Sequence, residues 1–177
     1  PLLRWAFESE RYHAAVLEEG AEELGLRHMH NDLCYPFVLI SGQVLRALKS
    51  GRWDPAKTSV LISQTGDGCR GSCLIRLLRP VLDKEGFPEV PLLSLNTRGI
   101  EKSCALPVGP AMGLRAVAAA FWGDALLLMG NQTRPWEAEP GSVNACIARW
   151  EEQLSKDLEA NRNLTPGGIL RRCREMA

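Results

Sequence analysis

A chain of 177 residues, 45% of them hydrophobic, is long enough to bury a real core and short for two comfortable domains. Its 21 basic and 21 acidic residues cancel, so no basic excess exists to neutralise nucleic-acid phosphates or bind an anionic membrane. No apolar stretch is read as approaching the length of about 20 residues that crosses a bilayer, and the start lacks a signal-peptide pattern. The expectation is one soluble, cytoplasmic domain, excised from a longer chain because Pro1 opens straight into Leu2, Leu3, Trp5 and Phe7.

In chain order, Leu2 to Arg11 reads as helix and the compact run Tyr12 to Leu17 as a short strand. After Pro36, Phe37, Ile40, Ser41, Val44, Leu45 and Leu48 fall on one helical face, and Gly51 stands where that helix stops. Thr58 to Ser63 is a short apolar run of the kind that forms a strand buried on both faces of a parallel sheet. It leads into the glycine-rich segment from Gln64 to Gly71, and then Leu74, Leu77, Leu78, Val81 and Leu82 repeat at helical spacing around Pro80.

Val90 to Leu95 is the next strand, completing a right-handed β-α-β unit. Beyond Pro107 the chain reads as helix, with a break from Arg134 to Gly141. A long amphipathic helix then carries Val143, Ile147, Trp150, Leu154 and Leu158, and Thr165-Pro166 caps a last short one. The expected fold is α/β, a Rossmann-like parallel sheet of about three to four strands flanked by helices. Residues 1–106 would form the α/β part and 107–177 a mostly helical part.

Two segments carry candidate chemistry. In open parallel sheets ligands bind beyond the C-terminal ends of strands. The loop holding Gly66, Gly68, Cys69 and Gly71 falls there, free to wrap a compact group and offer it backbone N–H donors. An ordinary tight turn uses the same residues. The loop is not a phosphate-binding P-loop, because Arg70-Gly71-Ser72-Cys73 stands where Lys-Ser/Thr is required. Its literal match to G-x-G-x-x-G keeps a nucleotide-binding fold open as an alternative, although no acidic residue clearly ends the next strand.

The second segment runs from His28 to Pro36 and places Cys34 just before a helix, where partial positive charge favours a metal-bound thiolate. From position alone, a buried free cysteine capping a core edge is the commoner explanation. His28 and His30 read as hydrogen-bonded loop residues rather than ligands. Cys69 and Cys73 lack the thioredoxin C-x-x-C spacing, Cys104 and Cys173 have no flanking ligand pattern, and Cys146 reads as core.

The strings HNDLCYPFVLISGQVLRALKSGRWD, SVLISQTGDGCRGSC and GFPEVPLLSLN, with EAEPGSVNA after them, resemble the C-terminal part of large proteins related to 2-hydroxyacyl-CoA dehydratases and their activators. The resemblance spans nearly the whole chain. It implies an iron–sulfur redox domain in which Cys34 and Cys69 ligate a [4Fe–4S] cluster shared with an absent lobe, and ATP is used only in a separate module. Asn31, Gln64, Thr65, Gly66, Gly68 and Arg70 would surround the cluster and tune it through hydrogen bonds. Neighbouring lobes are the implied partners and an acyl-CoA-type molecule the implied substrate. Asp67 and Cys73 depart from the family pattern. A non-catalytic scaffold domain of the same large protein is the competing expectation.

Overall fold

The computed structural model describes residues 2–9, 12–17, 20–30, 32–64, 74–96 and 108–177. The chain divides into two compact units, one formed by 17–107 and the other by 1–16 together with 108–177.

In the 17–107 unit, helices α2 (Glu22–Leu26) and α3 (Tyr35–Lys49) precede strand β1 (Val60–Gln64), helix α4 (Leu74–Lys84) and strand β2 (Leu92–Asn96). The α3 periodicity is obeyed: Phe37, Val38, Ser41, Val44, Leu45 and Leu48 are buried along one face, and Pro36 occupies the first turn, where its missing N–H costs nothing. Helix α2 lies unusually close to α3. A Cβ on Gly25 would sit 2.0 Å from the Val38 carbonyl oxygen, and one on Gly42 would sit 2.0 Å from that of Ala21. These two glycines let the backbones touch.

β1 and β2 pair in parallel, with Val60 opposite Leu92 and Gln64 opposite Asn96. Helix α4 joins them and runs through Pro80 without ending. The Arg79 guanidinium pins the α4–β2 connection, donating to the carbonyls of Val90 at 2.7 Å and Phe87 at 2.8 Å and to Asp83 at 2.8 Å. Leu45, Ile62, Leu78, Leu82, Val90 and Leu92 share one core with Phe37 and Leu48.

The Rossmann-like expectation of three to four strands is overturned. The described residues contain a two-stranded sheet only, and the chain is mostly helical. The run Tyr12 to Leu17 forms no strand. Its first residues are tied locally instead: the Tyr12 carbonyl accepts from the Ser9 N–H, and the Ala14 N–H donates to the Glu8 carboxylate at 3.0 Å. A strand exists only through its neighbour, and apolar propensity without a neighbouring ladder leaves extended coil with Tyr12 and Val16 exposed.

The other unit is helical, built of α1 (Leu3–Phe7), α5 (Pro110–Thr133), α6 (Ser142–Glu159) and α7 (Pro166–Met176). Trp122 on α5 is fully buried among Leu126, Leu154, Leu158 and Ile169, and its indole N–H reaches the Ile169 carbonyl at 3.4 Å. Gly130 leaves room for Ile147 of α6, whose Cδ1 lies 2.7 Å from where a Cβ would be. Thr165 caps α7 as the sequence predicts, accepting from the Gly168 N–H at 3.2 Å.

Asp157, in the last turn of α6, is buried and closes the α6–α7 corner. It accepts from Arg172 at 2.7 Å and from Asn163 at 2.8 Å. Asn161 and Asn163 supply the left-handed backbone the corner needs.

Helix α5 departs from the expectation that no apolar stretch is of membrane-spanning length. By length and composition alone, Pro110–Trp136 meets that test, with a mean hydropathy of 1.4. The helix is apolar nearly all round. Ala118, Ala119, Trp122 and Leu126 face the core, while Leu114, Val117, Phe121, Leu127 and Leu128 are exposed. A core helix passes the same test; α5 buries its Trp122 side within its unit and leaves most of its apolar surface exposed.

Candidate functional site

Cys34 is the N-cap residue of α3. Its backbone is extended (φ −64°, ψ 139°), and its carbonyl accepts from the Phe37 N–H at 2.9 Å. The thiol makes no capping hydrogen bond and is half-buried at the edge of the core. Cys34 thus packs against the core edge without a disulfide or a capping hydrogen bond.

The residues before it are held by local contacts. His30 is exposed, its Nδ1 accepting weakly from the Asp32 N–H at 3.4 Å and lying 3.1 Å from the Asp32 carboxylate. The Leu33 N–H donates to the His30 carbonyl at 3.0 Å. His28 differs: its side chain is only 9% exposed, and Nε2 lies 2.9 Å from Glu85. Lys49, the last residue of α3, pairs with the other oxygen of the same carboxylate. The Lys49 ammonium holds the Glu85 carboxyl below its ordinary range against partial burial, with His28 and Lys84 assisting.

This cluster has the composition of a carboxylate–histidine dyad, but its geometry is that of a pin. His28 Nδ1 is buried without a hydrogen-bond partner, and Nε2 is taken by Glu85. The sequence does flag His28 as a hydrogen-bonded loop residue. Glu85 carries no such signal, because an acid beside Gly86 at a helix end reads as ordinary solvated surface.

The second candidate segment begins where β1 ends. Gln64 is the last residue of β1, its backbone opposite Asn96. Asn31, Thr65, Gly66, Gly68, Cys69 and Arg70, together with Cys73 and Cys104, lie outside the described residues. Of the cysteines that are described, Cys34, Cys146 and Cys173 are free thiols. Cys146 is half-buried on α6 rather than fully enclosed, and burial pushes the Cys173 thiol up. No group of three or more metal-ligating side chains occurs among the described residues. Any cluster on this chain therefore draws its other ligands from undescribed residues or from another polypeptide.

A shallow, open depression of about 350 Å³ lies over α4 and β2, lined by Ile75, Arg76, Arg79, Pro80 and Leu92. Its walls are largely apolar and Arg79 is already committed to the α4–β2 connection. No nucleophile, base and orienting acid converge there or elsewhere among the described residues.

Comparison with protein-family models, with characterised proteins and with solved structures gives no match. Among the described residues, fold and site define a helix-rich chain with one parallel β-α-β unit and a half-buried free cysteine at a helix start.

Proposed function

We propose that this chain is an iron–sulfur-associated redox domain of a 2-hydroxyacyl-CoA dehydratase-like or activator-like protein, contributing Cys34 and Cys69 to a [4Fe–4S] cluster completed by a neighbouring lobe. The observation that carries the reading is Cys34 itself, a half-buried residue at the start of α3 whose thiol makes no disulfide or capping hydrogen bond. The motif resemblance supplies the pairing with Cys69, in the segment that follows β1. Bound between such thiolates, the cluster would supply single-electron transfer. The chain's own part would be to hold it, with Asn31, Gln64, Thr65, Gly66, Gly68 and Arg70 as candidate hydrogen-bonding surroundings. An acyl-CoA-type substrate and an ATP-using module belong to the rest of that system.

The test is anaerobic iron and sulfide analysis, with EPR of the reduced sample, on the protein purified together with its neighbouring lobes. The expected result is a stoichiometric cluster that Cys34→Ser and Cys69→Ser each abolish, and weak or absent iron in the isolated chain. Full cluster content in the double variant would overturn the assignment.

The exposed apolar side of α5 favours a second reading, a non-catalytic interaction domain of the same assembly. On that reading both cysteine variants keep the activity of the assembly. Substitution of Phe121 and Val117 by polar residues weakens its association.

A further inference from the structure

We draw no further inference here: the strongest candidate, the exposed apolar side of α5 that carries Leu114, Val117, Phe121, Leu127 and Leu128, carries none because nothing in the structure shows what covers it.

Discussion

Asp157→Ala tests the energetic reasoning most directly, because the carboxylate is 2% exposed and holds the α6–α7 corner through contacts of known length. Truncation leaves Arg172 without its 2.7 Å partner and Asn163 without its 2.8 Å acceptor. Breaking a buried charged pair on one side costs about 3–5 kcal/mol. Arg172 is 23% exposed and keeps Glu175 at 2.7 Å, which places the loss at the lower end, about 3 kcal/mol. For a chain of this size that corresponds to a fall in Tm of roughly 6–12 °C. Thermal unfolding followed by circular dichroism reads it. Arg162 also approaches Asp157, at 3.4 Å, but is 63% exposed, so Arg162→Ala should cost no more than about 1 kcal/mol. A drop below about 2 °C for Asp157→Ala, or equal drops for the two variants, would refute the assignment of the corner's stability to this carboxylate.

Gly42→Ala and Gly25→Ala should each destabilise the 17–107 unit by about 1–3 kcal/mol, because the added methyl meets backbone carbonyl and neither helix can yield by a side-chain rotation; denaturant midpoints within error of the parent would show that the two helices slide apart freely. Glu137 accepts from the Val143 N–H at 2.6 Å and from the Ser142 hydroxyl at 3.3 Å, and the Val143 bond holds its carboxyl below the ordinary value of 4.5 against partial burial. A depressed folded-state value means stability that is complete above the unfolded-state value and lost as pH falls through the folded one. The Tm difference between the parent and Glu137→Gln should therefore narrow between about pH 6 and about pH 3; a gap that stays constant or widens would count against it.

The helices were legible wherever one face carries a long periodic signal. Phe37 to Leu48 and Val143 to Leu158 are examples, and the caps at Pro36 and Thr165 act as chemistry at a helix end requires. The β-α-β unit was legible too, because two short apolar runs flank one amphipathic helix. Misreading began where a local pattern stood in for a neighbour. Tyr12 to Leu17 has strand composition but, among the described residues, no strand beside it, and the helix read beyond Pro107 proved to be one of 24 residues whose apolar length the reading missed.

For the candidate site, sequence alone located Cys34 at a helix start and separated it from His28 and His30. Burial and bonding belong to the tertiary structure. It left Cys34 half-buried, gathered His28, Lys49 and Glu85 from three separate stretches, and gave the described residues a sheet of two strands. The division has one physical cause. Periodicity and caps are fixed by residues within a turn or two of each other, whereas a strand, an ion cluster or an exposed face depends on what arrives from distant parts of the chain.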